Sequence, residues 1–547
     1  MEPVLFGRDG ASVPEPDPNL LGRKGAGLIA MCGLGLPVPP GFILPTTLGA
    51  SVARGESVLD ADWTGTLDPT VAALEGATGR TFGRGARPLL VSVRSGAAVS
   101  MPGMMDTVLN IGLNDETTAA LATETGDERF ALDCRRRFLQ GFATVVLDVS
   151  PDLFEDVLEE LRAEADVETD AELEPPDLRR AIARFTTIVS GEAGNAFPDD
   201  PREQLRLAVM AVFHSWNTDR ARRYRQLQGI DENGGTAAVV QAMVFGNRGA
   251  GSATGVMTTR NPSTGEAAPY GEFMLQAQGE DIVSGLHTPA PLTERARLDL
   301  GAEAASMERT LPKEWGDLRE AADRLEAHFR TPQEIEFTVE DGALMLLQTR
   351  DAKLTDRAAL RVAVEMAQEG RIERREAVAR CGEEMLAPLL VLRARPSASD
   401  RPWTRGLPAS PGAAVGELVF TSKAAEASSA RGRTPILLRP ETDPRDVHGM
   451  AAAGAIVTTR GGMTSHAAVV ARAMGKPCVT AATSLRLDQA NEIASAAGVA
   501  LRAGDTVTVD GGTGMVFAGK VPLEEPVPSG HLATILQWRE ELDAEDG

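Results

Sequence analysis

The segment Gly461-Gly-Met-Thr-Ser-His-Ala-Ala-Val-Val-Ala-Arg472 constrains this chain more than any other, because it puts a strand, a tight turn and a helix in immediate succession. The apolar run from Ala455 closes at Thr458 and Thr459, and two glycines turn the backbone. Ala467 to Met474 is then helix-forming until Gly475 and Pro477 stop it. The spacing places His466 in a first helical turn. Unpaired N–H groups and the positive dipole end favour an anion there and disfavour a protonated ring, so a neutral nucleophilic imidazole and a phosphoryl group on it are both stabilised. His214, His287, His328, His448 and His531 have no glycine turn before them. His466 is therefore the candidate catalytic residue, with Gly461 and Gly462 shaping the turn and Thr464 and Ser465 expected as helix caps worth about 1 kcal/mol.

At 547 residues the chain exceeds one ordinary core, and roughly three or four domains or subdomains are expected. Scarce aromatics, abundant small aliphatics and 43% hydrophobic residues fit a soluble α/β composition. A net charge of −23 argues against nucleic acid as a partner, while leaving room for a local basic pocket that binds phosphates. Cys32, Cys134, Cys381 and Cys478 lie far apart, without metal or disulfide spacing, and read as free thiols of a reducing compartment. No basic-then-apolar leader and no run approaching about 18 apolar residues is found, so no membrane association is expected and the cytoplasm is the expected location.

The chain opens with a Gly/Pro-rich α/β region to about residue 112, where Leu20 to Leu34 reads as helix and Leu89 to Val93 as a short strand. The part from 113 to 233 is mainly helical, with three- and four-residue apolar spacing over Phe130 to Val149 and Leu205 to Gln228. Ala237 to Phe245 is strand-like, Gly246 to Gly265 reads as a turn-rich loop, and 293 to 330 is charged and helical. Glu334 to Val339 and Ala343 to Thr349, joined by Glu-Asp-Gly, form a hairpin. Residues 353–400 read as an Arg/Glu/Ala-rich helical linker, 401–520 as a compact domain of short strands and small helices around His466, and 521–547 as a linker-like tail with one closing helix.

A carrier histidine needs a phosphoryl donor, and the first half holds groups suited to a polyphosphate. Lys24 lies in Gly22-Arg-Lys-Gly-Ala-Gly27, where glycines let backbone approach a phosphate; the same pattern also occurs in ordinary loops. Arg94 follows an apolar strand and precedes Ser95-Gly96-Ala97, a strand end beside a flexible turn suited either to bidentate phosphate binding or to a surface ion pair. On the hairpin, alternation puts Glu334 and Glu336 on one face, and likewise Gln348 and Arg350. Two carboxylates and an amide suit Mg²⁺, and a solvated face with a cross-strand Glu–Arg pair fits the period equally well.

Taken together, GGMTSHAAVVAR and the ordered segments Leu-Gly-Arg-Lys-Gly-Ala-Gly-Leu, Val91-Ser-Val-Arg-Ser-Gly-Ala97, Met101-Pro-Gly-Met-Met-Asp-Thr107, Gly246-Asn-Arg-Gly-Ala-Gly-Ser-Ala-Thr-Gly255, Arg260-Asn-Pro-Ser-Thr-Gly-Glu266, Gln278-Gly-Glu-Asp281, Gln333-Glu-Ile-Glu-Phe337 and Leu347-Gln-Thr-Arg350 resemble pyruvate phosphate dikinase of the phosphoenolpyruvate-utilising enzyme family. The resemblance covers nearly all of 15–540 and implies an α/β and α+β multidomain fold. Residues 1–352 become an ATP-grasp nucleotide-binding domain with a helical insertion, followed by a swivelling phosphohistidine β/α domain over 401–520. It further implies that Lys24, Arg94 and Arg350 meet the ATP phosphates and that Glu334, Glu336 and Gln348 hold Mg²⁺ and nucleotide. The loop carrying Gly249, Gly251, Ser252 and Thr254 is expected to close over the triphosphate. The chain departs from the family at Arg23, where glycine is usual, at Gly27, where asparagine is usual, and at Glu334, commonly Asp.

The implied chemistry is an ATP-dependent phosphotransfer in which His466 attacks the β-phosphorus, AMP leaves, and inorganic phosphate removes the terminal phosphoryl group. A full-length dikinase of this kind continues into a (β/α)₈ barrel for pyruvate; this sequence stops at Gly547, so no TIM barrel is expected in it. The acceptor is then either pyruvate on a separate subunit or another small molecule. A non-catalytic nucleotide-binding or regulatory protein derived from a dikinase, and a fragment of a longer dikinase, are the alternatives. Retention of Lys24, Arg94, Glu336, Gln348 and His466 favours the enzyme.

Overall fold

The structure, a computed structural model, describes residues 2–7, 15–56, 63–99, 101, 105–192, 197–232, 234–283, 288–386, 393–397, 399–524 and 530–546. His287, Pro102 to Met104 of the Met101 segment and the final glycine lie outside them. The chain divides into two compact units, one of Met1–Val244 with Met345–Arg350, the other of Phe245–Leu344 with Asp351–Gly547.

The first unit is built on an antiparallel sheet in the order Val4–Phe6, Gly41–Leu44, Thr236–Ala242, Val91–Ala97, Thr107–Ile111. Every residue of the two central strands, Thr236–Ala242 and Val91–Ala97, is buried, as continuous runs of small and β-branched residues allow. The helix Pro18–Gly33 packs on this sheet and is kinked at Gly22, whose φ of 68° breaks the helical run. The helical part comprises Asp115–Thr125, Glu128–Val146, Asp152–Ala165, Pro175–Glu192, Pro201–His214 and Asp219–Gln228. Its helix starts follow from side-chain caps: Asn114 accepts from the Thr117 N–H and Asp127 from the Phe130 N–H.

In the second unit, Ala290–Pro291, Tyr270–Leu275, Ala253–Thr258 and Gln333–Glu340 are antiparallel neighbours in that order. The strand Ala253–Thr258 corrects the expected loop over Gly246 to Gly265, because only the two ends of that range are turn. Gly255 is a packing glycine: a Cβ there would lie 2.2 Å from the Phe337 ring. The strands Gln333–Glu340 and Ala343–Asp351 are joined through Asp341 and Gly342, both at positive φ, as a two-residue connection requires.

The helices Asp356–Gln368, Arg374–Arg380 and Glu383–Leu386 occupy the start of the expected helical linker, whereas Arg393–Ala394 is a strand paired with Leu523–Glu524. The closing helix His531–Asp546 packs Ile535 and Trp538 against Leu360, Met366 and Ala377 of those helices. Between these segments Ala413–Val419, Pro435–Arg439, Ala455–Thr458 and Cys478–Thr480 form a parallel core within an eight-stranded sheet. The helices Ser422–Ala430, Val447–Ala452 and His466–Ala473 connect them. Alternate residues of these strands feed two cores: Ile436, Leu438 and Val457 on one face, Leu437 and Ile456 on the other. No closed (β/α)₈ barrel is present among the described residues.

Candidate functional site

His466 is the first residue of the helix His466–Ala473 and follows the strand Ala455–Thr458 through the glycine turn. Gly461 takes φ of 90°, a value glycine adopts without strain. In a parallel sheet the loops at the carboxyl ends of neighbouring strands lie together, so the turn after Pro435–Arg439 meets the histidine loop. From that turn Thr442 puts Oγ1 3.1 Å from Nδ1 of His466. Nε2 of His466 is buried and has no hydrogen-bond partner among the described residues. Burial lowers the imidazole pKa from its ordinary value, against an opposing pull from the Asp443 and Asp446 carboxylates. The ring is thus held at one nitrogen, bare at the other and biased to the neutral form.

The expected caps are corrected by the structure. Ser465 stands at the N-cap position, yet its hydroxyl makes no capping bond, and its Oγ is buried without a partner among the described residues. Thr464 donates through Oγ1 to Oε1 of Glu272 at 2.5 Å. The amides of Met463 and Thr464 also donate to Glu272, at 3.3 and 3.4 Å. A Cβ on Gly462 would lie 2.0 Å from the Glu272 carboxylate, so a side chain there would have to displace that carboxylate. Arg472 holds the loop from its other side by donating to the carbonyls of Met463 and Ala409, at 2.6 and 2.9 Å. Glu272 is 5% exposed, and burial pushes its carboxyl above the usual range, with the Thr464 hydroxyl, the two amides and Arg472 opposing.

Glu272 belongs to the strand Tyr270–Leu275 and pairs with Val256, which pairs in turn with Glu336. Directly opposed residues of antiparallel strands share a face, so Glu272, Val256 and Glu336 point the same way, as do Tyr270, Thr258 and Glu334. The carboxylates predicted for metal binding therefore stand on the same sheet face as the residue that holds the histidine loop. The second unit brings together His466, its supporting loop, Glu334 and Glu336.

The glycine-rich loop lies in the same unit, with Gly249 at φ of 73° and Gly251 3.8 Å, as measured to an added Cβ, from the Gly342 amide. Ser252 and Thr254 do not line that loop with free hydroxyls. Ser252 donates to the Arg248 carbonyl and accepts from the Asp341 amide, and Thr254, inside the strand Ala253–Thr258, donates to the Phe337 carbonyl at 3.3 Å.

In the first unit Arg94 lies at the middle of the strand Val91–Ala97, which corrects its expected place at a strand end beside a turn. Arg94 is 8% exposed and donates through Nη2 to Gln241 Oε1 at 2.5 Å and to the Leu347 carbonyl at 2.8 Å, so it is a buried residue and not a surface one. Lys24 follows the Gly22 kink within the helix Pro18–Gly33. Gly22 lets this helix approach the strand Val91–Ala97 closely, since a Cβ on it would lie 1.8 Å from the Gly96 carbonyl oxygen. Gly27 is also required, since its Cβ would reach the Thr349 carbonyl at 2.9 Å. Lys24, Arg94 and the Leu347–Arg350 segment carrying Gln348 and Arg350 are thus gathered in one unit.

Thr442, Asp443 and Glu272 were absent from the residues singled out in the sequence. Thr442 and Asp443 carried one usable signal, the Thr-Asp-Pro-Arg-Asp turn directly after an apolar strand. Among the described residues no three or more His, Cys, Asp or Glu side chains cluster to hold a metal, and no helix is long and apolar enough to cross a membrane. All four cysteines are free, and burial pushes Cys478 up to about 12 and Cys381 to about 11.

The pyruvate phosphate dikinase AMP/ATP-binding domain family matches residues 53–311 and 294–371, and the mobile domain of PEP-utilising enzymes matches 433–514, which contains His466. Pyruvate, phosphate dikinase of Rhizobium meliloti is 49% identical over 97% of this chain and 59% of its own length. Pyruvate, phosphate dikinase 2 of Oryza sativa subsp. japonica is 44% identical over 98% of the chain and 59% of its own length. That of Rickettsia conorii is 43% identical over 98% and 60%. The chain therefore spans about three-fifths of the length of these curated relatives. With its nucleotide-domain match over more than half its length and its histidine loop in the matching mobile domain, the chain belongs to the pyruvate phosphate dikinase family.

Proposed function

We propose that this chain loads His466 with the β-phosphoryl group of ATP. Nε2 attacks the β-phosphorus and the bond to the AMP oxygen breaks, leaving a pyrophosphoryl group on the histidine. Inorganic phosphate then takes the terminal phosphoryl group, leaving as pyrophosphate, and a phosphohistidine remains. Delivery to pyruvate on a barrel, within a longer chain or on a separate subunit, completes the proposed cycle, in keeping with relatives whose name is pyruvate, phosphate dikinase.

The observation that carries the reading is the state of the imidazole: Nδ1 faces Thr442 Oγ1 while Nε2 is buried and unpartnered among the described residues. In the reactive tautomer Nδ1–H donates to Thr442, which leaves the Nε2 lone pair for phosphorus. Lys24, Arg94 and Arg350 supply cationic charge for the phosphates of ATP. Glu334 and Glu336, on one face of the strand Gln333–Glu340, offer oxygen donors that fit Mg²⁺, completed by phosphate and water oxygens. Bound there, the ion would neutralise charge on the transferring phosphates. In this reading residues 1–352 bind nucleotide in an ATP-grasp arrangement and 401–520 carry the histidine.

The test is incubation with Mg²⁺ and ATP labelled at the β or the γ position, with and without phosphate. Acid-labile label from the β position, AMP release, and loss of both in His466→Ala are expected. ATP binding without AMP under every condition would refute the reading and leave a nucleotide-binding protein without turnover.

A further inference from the structure

We infer that Arg248 is a phosphate-binding residue held in reserve, clasped by Glu340 and Asp341 on the sheet face of Glu334 and Glu336 until the phosphates of ATP reach that face. The inference rests on the proposed use of ATP and adds the side chain with which the glycine-rich turn grips it.

Arg248 is the one charged residue from Gly246 to Thr259. Its Nη1 donates to Oε1 of Glu340 at 2.9 Å, and its Nε lies 3.3 Å from Oδ2 of Asp341. Glu340 ends the strand Gln333–Glu340, and alternation along that strand puts it on the face of Glu334 and Glu336, about 13 Å from Glu336 between Cα atoms. The clasp thus stations a cation at one end of the face whose other end bears the proposed metal ligands.

The turn is built to let that cation travel. Its base is bonded and packed: the Ala277 amide donates to the Gly246 carbonyl at 3.1 Å and the Gln276 amide to the Ser252 carbonyl at 3.0 Å. A Cβ on Gly246 would lie 2.4 Å from the Ala277 carbonyl oxygen. The crown is open by contrast. Gly249, Ala250 and Gly251 are exposed, and a Cβ on Gly249 would meet nothing closer than Asp341 at 3.6 Å. Gly249 also takes φ of 73°, which lets the backbone beside Arg248 turn freely.

The clasp is also of the kind that exchanges. Arg248 and Glu340 are half-buried and Asp341 is exposed, and ion pairs at such positions add little to stability. A phosphate offers the guanidinium fork the same paired oxygen acceptors that the carboxylates do. Arg248 therefore changes one set of charge-assisted hydrogen bonds for another of like geometry, and the carboxylates serve to keep it aimed at the face in the meantime.

The test uses the full chain and compares Mg²⁺-ATP with adenosine, which has the base and ribose but no phosphate. Arg248→Gln is expected to weaken ATP binding by about tenfold, the scale of one charge-assisted hydrogen bond, and to leave adenosine binding in place. Glu340→Gln with Asp341→Asn keeps both shapes, and an acceptor for the Phe245 amide, while freeing the guanidinium. This double variant should bind ATP about two- to fivefold more tightly, and amide exchange at Gly249 and Gly251 should accelerate in it. The same two changes in an Arg248→Gln background should give no tightening, which separates release of the guanidinium from loss of two negative charges. Unchanged ATP affinity in Arg248→Gln would overturn the inference, as would weaker ATP binding in the double variant or tightening that persists without Arg248. Should the wild-type chain bind ATP and never load His466, the loading reaction falls, and these dissociation constants still decide for or against Arg248.

Discussion

At the residue scale, His466 must be neutral to react, and its environment works toward that. Burial lowers its pKa from the usual value of about 6.5, while Asp443 and Asp446 pull upward. A lowered pKa leaves the imidazole neutral through neutral pH, so the loading rate should be flat there and fall only on acidification, with its midpoint below about 6.5. Removing the Asp443 charge removes an upward pull, so Asp443→Asn should move that limb to still lower pH. Asparagine preserves the turn, being an equally good cap. Titration of the His466 ring by NMR checks both, and an upward shift in the variant would contradict the assignment. Thr442→Val should leave the pKa nearly in place and slow loading, because it removes the partner that fixes the tautomer. His466 itself was legible because its turn and helix are local in sequence. Thr442 and Glu272 were not, since they arrive from loops and strands whose meeting depends on sheet register rather than on any neighbouring residue.

At the scale of single elements, glycine misled where it packed and informed where it turned. Gly461, at positive φ, serves the backbone turn ahead of His466, whereas Gly255 sits in a strand because its neighbours leave no space for a side chain. A buried strand rich in Gly, Ala, Ser and Thr lacks the alternation that marks a half-exposed one, so Ala253–Thr258 reads as loop and the strand Val91–Ala97 reads as ending at Val93. The amphipathic helices of 113–233 were legible for the converse reason, as their apolar spacing repeats over several turns. The two kinds of glycine make opposite predictions. Gly255→Ala forces a methyl group to within 2.2 Å of the buried Phe337 ring and should cost about 1–3 kcal/mol of stability. Gly251→Ala, in the loop with its nearest neighbour at 3.8 Å and no positive φ, should be close to neutral. Denaturant unfolding of the two variants distinguishes them, and equal costs would mean that the strand glycine is not a packing requirement.

At the scale of the whole molecule, composition indicated several domains but not how the chain returns on itself. Met345–Arg350 leaves one compact unit to serve the other, and the closing helix joins helices more than 150 residues earlier, with Arg539 donating to the Cys381 carbonyl. Such returns have no local signal, because each partner alone is an ordinary strand or amphipathic helix. In the second unit the organising contact is a buried charge cluster. Arg260 is 2% exposed and pairs with Glu326 at 2.9 Å, Glu369 at 2.8 Å and Glu365 at 3.4 Å. Glu326 also accepts from Arg371 at 3.0 Å and from the Thr259 hydroxyl at 2.5 Å. The cluster ties the end of the strand Ala253–Thr258 to the helices Pro312–Phe329 and Asp356–Gln368. A buried pair contributes little beyond an apolar equivalent, but losing one member strands the other, at about 3–5 kcal/mol. Glu326→Ala should therefore be strongly destabilising, while Glu369→Ala, at an exposed position with Glu326 still facing Arg260, should cost much less. The cluster holds the same strand that joins Glu272 to Glu336, so its loss is expected to lower loading of His466 together with thermal stability. Thermal unfolding run beside the loading assay checks this, and full loading in a variant with a lowered unfolding temperature would contradict it.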